Sequence, residues 1–518
     1  MIKKHISSHL RTGVLALTVA LSATASIAAD QPAETGKFQA SLDSLEQYQC
    51  PEWFRNAKFG IWAHWGPQAV PRQGDWYARK MYEPNADPKK DRHYNHHLKT
   101  WGHPSKYGYK DIIPLWKAEK FDPDTLMQLY VKAGARYFVS MGVHHDNFDL
   151  WDSKYQPRWN SVAMGPKRDI VGEWKAAASK YGLKFGVSEH LGASYTWFQT
   201  SHGADKTGPM AGVPYDGADP QWADLYHTKA VEKGWQWYTN NPEWHKHWAD
   251  RITDLLDKYQ PDLLYSDGGL PFGTVGCGVI AHFYNTNMAR NGGKLEAVYN
   301  CKAHHKPSEM NQFRKGTGVE DVERGGMMQI APLPWQTDTS IGDWFYADGY
   351  KYKTTTDVVH QLADIVSKNG NLLLNVVLYA DGSLPPEPAK FLEEMAAWIA
   401  VNGEAIYDTR PWVVFGEGPT QVVTGAFKEK FDFKAQDIRF TTKQGALYAI
   451  AMGWPEDRKL TITSLAKDSD KYKGEIAKVE LLGSQAKVTW TRDEKGLTVQ
   501  LPATKPCEHA ISLKITGK

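Results

Sequence analysis

Four short apolar runs of the chain are each followed at once by histidine or acidic side chains. His64, the pair His144 and His145, His190 and Asp267 all stand at the ends of runs rich in Val, Ile, Leu or aromatic residues. Such runs are typical of strands that are buried on both faces. The carboxyl ends of parallel strands meet at one mouth of a barrel, so we expect these side chains to lie together. Imidazoles donate to and accept from hydroxyl groups, and a carboxylate can attack a carbon or transfer a proton.

A metal site is the rival interpretation of these histidines. His144, His145 and His190 are residues of the type that bind zinc. Adjacent residues on a strand point to opposite faces, so we expect His144 and His145 not to bind one ion together. The chain has only four widely spaced cysteines, too few for a zinc site or a disulfide framework, and any pairing stays open. We therefore expect no metal and no other cofactor.

Asp267 is followed by Gly268 and Gly269, and this pattern has two interpretations. Asp-Gly is a common turn dipeptide. The apolar residues Leu263 and Leu264 just before it favour the other interpretation, a carboxylate at the end of a barrel strand. Glycines at that point let a ligand approach the backbone.

Apolar runs and helical patterns alternate between about residues 38 and 407, which predicts parallel βαβ units. Strands are predicted at residues 58–65, 136–145, 184–190, 262–269, 294–302 and 371–378, and helices at 170–181, 242–259 and 355–368. A span of about 370 residues suits a TIM-type (β/α)8 barrel with long loops. No GxGxxG follows the first strand and no GxxxxGK[ST] occurs, so dinucleotide-binding and P-loop folds have no support.

Period-two runs separated by turns replace this pattern after residue 410. They predict a C-terminal antiparallel β-sandwich over residues 411–518, with a structural or accessory role. The preceding residues 30–410 are predicted to form the barrel. The fold class is therefore α/β, a TIM-like barrel followed by a β-sandwich.

The first 29 residues have the pattern of a secretory signal peptide. Lys3, Lys4 and Arg11 precede an apolar stretch that ends in small residues. No later run reaches the roughly 18 apolar residues that span a bilayer. We expect cleavage near residue 29 and a secreted or periplasmic protein that does not insert in a membrane.

The overall composition argues against nucleic acids as ligands and favours sugars. The 61 Lys and Arg nearly cancel the 59 Asp and Glu, giving a net charge of +2. A dedicated nucleic-acid binder would carry a concentrated basic surplus, so this class is excluded. The 21 Trp and 25 Tyr favour flat amphipathic surfaces on which sugar rings stack.

Six motifs between about residues 50 and 412 together resemble the α-L-fucosidases of glycoside hydrolase family 29. They are WFRNAKFGIWAHWG, GDWYARKMY, YFVSMGVHHDNFDLWDSKYQPRWNSVAMGPKRDIVGEW, DLLYSDGG, PWQTDTSIGDWFY and DIVSKNGNLLLNV, in the family's order. The resemblance implies a catalytic TIM barrel followed by a β-sandwich, a retaining mechanism and no metal cofactor.

Individual site residues follow from the same resemblance. Asp267 matches the family's nucleophile, and Tyr265 holds the aromatic position two residues before it. The residues that match fucose-contacting positions are His64, Trp76, His144 and His145. Asp75 and His190 are further substrate-binding candidates. The family often has Glu at the position of Asp75, and it often has a Tyr-containing strand end at the position of His190. Trp335-Gln336-Thr337 also departs from the family's Trp-Glu-Thr.

The second carboxyl group of a retaining glycosidase is predicted in residues 317–326. A retaining enzyme needs an acid/base about 5 to 5.5 Å from its nucleophile. Glu320, Asp321 and Glu323 compete for this role, and the similarity to the family favours Glu323, with Glu320 second. The alternative is an exposed acidic loop paired with Arg324.

The predicted function is that of a secreted, exo-acting, retaining α-L-fucosidase. Its partner is expected to be a fucosylated oligosaccharide or polysaccharide. A fucose-binding protein without catalysis and an enzyme for α-galactoside-like sugars are the alternatives. The fucosyl linkage, sulfation of the substrate and the oligomeric state stay open.

Overall fold

Eight parallel strands close into one barrel in which strands adjacent in sequence are paired and the last strand pairs with the first. They are β1 (Phe59–Ala63), β2 (Tyr137–Val143), β3 (Lys184–Glu189), β4 (Leu263–Ser266), β5 (Val298–Lys302), β6 (Val319–Asp321), β7 (Trp335–Ser340) and β8 (Gly370–Asn375). This computed structural model describes residues 36–84, 92–232, 236–303 and 310–518. The predicted signal peptide, residues 1–29, lies outside the described residues.

Helices follow most of the strands and cover the outside of the barrel. The longer ones are α1 (Glu52–Ala57), α2 (Arg92–Thr100), α3 (Pro123–Lys132), α4 (Ile170–Lys180), α5 (Pro242–Tyr259), α6 (Thr274–Arg290), α7 (Thr355–Ser367) and α8 (Pro386–Asn402). Single-turn helices lie at Leu42–Leu45, Tyr77–Lys80, Tyr109–Ile112, Ser194–Trp197 and Ala223–Tyr226. The three predicted helices are confirmed, and the Asp169 side chain caps α4 by accepting from the Gly172 amide.

Two barrel strands, β6 and β7, do not appear among the strands predicted from apolar runs. β7 has the polar sequence WQTDTS, yet all six of its residues are buried. Its side chains are paired inside the protein, since Gln336 accepts from the Tyr137 hydroxyl at 3.0 Å and donates to Asp321 at 2.9 Å. A strand whose buried side chains are hydrogen-bonded lacks the apolar signal of its neighbours.

The C-terminal region forms two antiparallel sheets around a second apolar core. Its strands are β9 (Arg410–Glu417), β10 (Ile438–Lys443), β11 (Ala446–Ala451), β12 (Lys459–Ile462), β13 (Ile476–Leu481), β14 (Thr489–Asp493), β15 (Gly496–Gln500) and β16 (Ile511–Gly517). The five-stranded sheet has the order β9-β10-β11-β16-β13, and the three-stranded sheet has the order β12-β15-β14. The predicted fold class is confirmed. The domain boundaries at residues 30, 410 and 411 stay predictions.

The connection between β9 and β10 returns to the mouth of the barrel. We call residues 423–429 the arm. Its Glu429 lies 2.9 Å from the Lys353 ammonium and 3.2 Å from the Arg324 guanidinium, and it accepts from the Thr339 hydroxyl at 2.7 Å. The C-terminal region therefore does more than pack against the barrel, because three ion-pair and hydrogen-bond partners fix part of it at the mouth.

Cys50, Cys277, Cys301 and Cys507 are all free thiols in this structure. Among the described residues, none of the helices combines the length and the apolar character that crossing a bilayer requires.

Candidate active site

Main-chain hydrogen bonds between neighbouring strands continue past the strand ends and align the residues that follow. The His190 amide donates to the Val143 carbonyl at 3.0 Å, and the Asp267 amide donates to the Glu189 carbonyl at 3.0 Å. The Lys302 amide donates to the Gly268 carbonyl at 2.7 Å. Because of this register, His190, Asp267 and Lys302 stand side by side at the mouth.

Asp267 lies among three nitrogen groups. The Lys302 ammonium is 2.5 Å from Oδ1 of Asp267, and His145 Nε2 and His190 Nδ1 are each 3.2 Å from Oδ2. Burial by itself would raise the pKa of Asp267, but the Lys302 ammonium and His190 outweigh it and hold this pKa well below its usual range. Asp267 is therefore a carboxylate at neutral pH.

Lys302 also joins Asp267 to Glu323. Its Nζ is 2.6 Å from Oε2 of Glu323. Two oxygens that lie 2.5 and 2.6 Å from one nitrogen are at most about 5 Å apart. Burial raises the pKa of Glu323 despite the nearby ammonium, and the charges of Asp338 and Asp267 raise it further. The pKa values of the two carboxyl groups are thus shifted in opposite directions although the groups share one cation.

Glu320, the second candidate, lies in a different environment. It lines the same cavity, but its partner is the exposed Lys315, 3.8 Å away. Asp321 is buried and accepts from the Gln336 amide, and burial and Asp338 raise its pKa well above the usual range.

His64 and His144 present nitrogen atoms to the cavity in the neutral form. Neither ring nitrogen of the buried His64 has a hydrogen-bond partner in the described part of the chain. The Gln68 amide donates to Nδ1 of His144 at 2.8 Å, so the proton of His144 is on Nε2. Burial, assisted by neighbouring imidazoles, lowers the pKa of both residues well below the usual range.

The expectation that His144 and His145 point apart is wrong. β2 ends at Val143, so neither residue belongs to the strand, and their ring centroids are only 4.6 Å apart. Ligand atoms of His144, His145 and His190 all lie within 4.8 Å of one another, as do those of His64, Asp75 and His144. The alternation of side chains along a strand is therefore no argument against a metal at this place. The effect of a chelator on activity has to test the metal interpretation.

Aromatic rings and the carboxyl group of Asp75 complete the walls of the cavity. Tyr265 donates its hydroxyl to Asp338 at 3.1 Å, and its ring lies 5.1 Å from that of Trp62. Trp76 has a left-handed backbone with φ of 64°, which turns the chain at the mouth next to Asp75. Asp75 lies 3.7 Å from Nε2 of His144, and burial together with Asp343 raises its pKa well above the usual range.

One cavity of about 940 Å³ brings nearly all the predicted residues together. It is lined by Trp62, His64, Asp75, Trp76, His144, His190, Tyr265, Asp267 and Glu323, among others. His145 is the exception: it is completely buried and contacts Asp267, and it donates Nδ1–H to the His190 carbonyl at 2.6 Å. Glu189, next to His190, does not line the cavity and instead accepts from Trp248 of α5.

Sequence reasoning missed Lys302, Asp338 and the arm, which also line this cavity. Lys302 could have been predicted from its position, because it ends a predicted strand in the same way as the histidines. The arm has no such signal, since it comes from the other sheet region of the chain.

Comparison with known proteins identifies the family. Residues 25–404 match the family model described as α-L-fucosidase. The chain belongs to the α-L-fucosidase family. Residues 431–516 match the model of an α-L-fucosidase C-terminal domain. As an α-L-fucosidase, the enzyme is a glycoside hydrolase that cleaves fucosyl linkages.

Relatives of this α-L-fucosidase match over nearly their whole length. The tissue α-L-fucosidase of Homo sapiens is 28% identical over 520 residues, which cover 97% of each chain. The α-L-fucosidase of Branchiostoma floridae is 27% identical over 499 residues, covering 93% of this chain and 96% of that one. A crystal structure of the Thermotoga maritima α-fucosidase in complex with fucose is 25% identical, has a TM-score of 0.69, and covers 92% of this chain and 99% of that chain.

Proposed function

We propose that this α-L-fucosidase is exo-acting and retaining, with Asp267 as the nucleophile and Glu323 as the acid/base. The observation that carries the proposal is the pair of carboxyl groups held at most about 5 Å apart by Lys302, close to the spacing of retaining enzymes. Their pKa values are shifted in opposite directions, as one ionised nucleophile and one protonated acid require.

In the first half of the reaction, an Asp267 oxygen attacks the anomeric carbon of fucose. The bond from that carbon to the leaving oxygen breaks, and the oxygen takes the proton of Glu323. This step yields a fucosyl ester on Asp267 and a free alcohol.

In the second half, Glu323 is a carboxylate and accepts a proton from water. The water oxygen attacks the anomeric carbon and the ester bond to Asp267 breaks. Two inversions give fucose with its original α configuration, and both carboxyl groups return to their starting states.

The proposed fucose position lies beside Asp267, against the floor of the cavity. His64 and Trp62 are almost completely buried there, so the cavity is closed on this side. A closed end suits a terminal sugar rather than the interior of a chain, which supports exo action. The neutral imidazole of His64 offers one donor and one acceptor to the hydroxyl groups of the sugar, and His144 offers the donor Nε2–H.

We expect substitution of the histidines to weaken binding of the transition state. His64→Ala or His144→Ala should lower kcat/KM by about 5- to 150-fold, because each leaves a sugar hydroxyl unpaired, at about 1 to 3 kcal/mol. His96→Ala is a matched control, since His96 does not line the cavity. EDTA should leave the activity of the unmodified enzyme unchanged. Activity that is lost on chelation and restored by zinc would instead establish the metal interpretation.

The stereochemistry of the first-formed product tests the retaining mechanism. We expect proton NMR of early hydrolysis of an aryl α-L-fucoside to show α-fucose before mutarotation produces the β anomer. First-formed β-fucose would mean a single displacement by water and would remove the nucleophile role from Asp267.

We also propose that the natural substrates are fucosylated oligosaccharides or polysaccharides and that the enzyme is exported. The substrate class is supported by family membership. Export is supported by the amino-terminal pattern of basic, apolar and small residues over residues 1–29.

A further inference from the structure

The arm contacts the main chain at Glu323 and at the glycines just after it. The Phe427 amide donates to the Glu323 carbonyl at 2.9 Å, and the Gly425 amide donates to the Gly326 carbonyl at 3.1 Å. A Cβ atom at Gly325 would lie 2.0 Å from the Gly425 carbonyl oxygen. The two segments therefore pack backbone against backbone, which only a glycine at residue 325 allows.

Phe427 is held at this place in an unusual conformation. Its φ is 58°, in the left-handed region that bulky residues rarely adopt. Its side chain nevertheless points outward: the residue is 64% exposed and lines the cavity that contains Asp267 and Glu323. Backbone conformations of this kind persist only where the surroundings enforce them, and they concentrate at ligand sites.

Two other exposed apolar side chains line the same part of the cavity. Met328 is 65% exposed and Tyr350 is 40% exposed. The neighbouring cation is already engaged, because Arg324 lies 3.2 Å from Glu429 and its guanidinium stacks 4.8 Å from the Trp344 ring centroid. The surface beyond Glu323 thus presents three exposed apolar side chains and no available positive charge from Arg324.

The position of Glu323 determines which part of the substrate this surface faces. An acid/base must lie at the glycosidic oxygen, so the leaving group extends from Glu323 away from Asp267. The cavity of about 940 Å³ is at the upper end of the size of small-molecule sites, and it extends from the fucose position to the arm.

We propose that Phe427, with Met328 and Tyr350, forms a subsite for the leaving group, in which Phe427 stacks on the apolar face of a neutral pyranose that carries the fucose. This inference rests on the proposed function, because Glu323 sets the direction of the leaving group. Aromatic rings bind the C–H faces of sugars, and the flexible Met328 side chain adapts to more than one sugar.

The test compares two substrates that differ only in the size of the leaving group. α-L-Fucosyl fluoride has a leaving group of one atom and does not reach the subsite. The second substrate is whichever of the α1,2-, α1,3-, α1,4- and α1,6-linked fucosyl-galactose disaccharides the unmodified enzyme cleaves fastest. In Phe427→Ala, we expect the ratio of kcat/KM for the disaccharide to that for the fluoride to fall by about 5- to 10-fold.

Two variants serve as controls. Phe427→Tyr should restore most of the ratio because it keeps the ring. Val423→Ala should leave the ratio unchanged, since Val423 is a 61% exposed apolar residue of the same arm that does not line the cavity. A Phe427→Ala ratio within twofold of the unmodified enzyme overturns the subsite while leaving the proposed function intact. An unmodified enzyme that cleaves neither substrate overturns the proposed function instead.

Discussion

Replacing Asp267 by asparagine is expected to lower kcat for an aryl α-L-fucoside by about 10⁴-fold or more, the scale of losing a nucleophile. Asparagine keeps the size of the side chain, but a neutral amide does not form the fucosyl ester. The effect should be largest on kcat rather than KM, because the substituted side chain still fills the place beside His145 and His190. Steady-state kinetics with the fold checked by thermal unfolding measure this.

The product formed with azide distinguishes a variant of the nucleophile from a variant of any other essential residue. In Asp267→Ala the space beside the anomeric carbon is open, so azide should displace the leaving group directly and give β-fucosyl azide. Asp348→Asn is a matched control, since Asp348 is a half-exposed partner of Arg72 outside the cavity. Near-normal turnover by the Asp267→Asn enzyme contradicts the assignment.

Replacing Glu323 by alanine is expected to lower kcat/KM for natural fucosides by about 10²- to 10⁴-fold, the usual contribution of a general acid. A dinitrophenyl fucoside needs no protonation of its leaving group, so formation of the fucosyl-enzyme from it should change little. Azide should then accelerate turnover and give α-fucosyl azide, because it replaces water at an ester that still forms on Asp267. The anomeric form of the azide product, read by NMR, separates this variant from Asp267→Ala.

The pH profile gives a second measurement on Glu323. The acid must be protonated in the first step, so kcat/KM falls as the pH rises through the pKa of Glu323, which burial raises. With natural fucosides as substrates, this alkaline limb should disappear from the residual activity of Glu323→Ala. Glu320→Ala is the control and should keep the limb, because Glu320 pairs with Lys315. Azide rescue of Glu320→Ala with a near-normal Glu323→Ala would exchange the two roles.

The sequence predicted the barrel wherever strands are apolar on both faces. β1 and β8 are buried along their whole length, and the apolar residues Phe, Ile and Trp in β1 and the three Leu in β8 give the signal. β7 is buried through hydrogen bonds between polar side chains, and β6 has three residues, so neither carries the signal. Burial satisfied by hydrogen bonds depends on partners such as Tyr137, which are far away in sequence.

The residues of the candidate site also divide into those with a local sequence signal and those that depend on partners far away in sequence. His64, His144, His190 and Asp267 were predicted together because strand ends of a barrel converge. Lys302 also ends a strand, but a lysine there has the pattern of an ordinary solvated residue until its two carboxylate partners are known. The arm reaches the site through contacts such as Arg324 with Glu429, which are 105 residues apart, and no local periodicity encodes such a contact.

Under the proposed mechanism, the proton affinity of Glu323 depends on the covalent state of Asp267, while the Lys302 ammonium stays next to both groups. In the free enzyme, the Asp267 charge raises the pKa of Glu323 and the Lys302 charge lowers it. An ester on Asp267 is uncharged, so after the first proposed step only the lowering influence of this pair remains. This lowering favours the carboxylate form of Glu323 in the second proposed step, and the proton affinity of Glu323 rises again once fucose leaves. Under the proposed mechanism, one cation shared by two carboxyl groups that are neutral in turn thus favours the acid role of Glu323 first and its base role second.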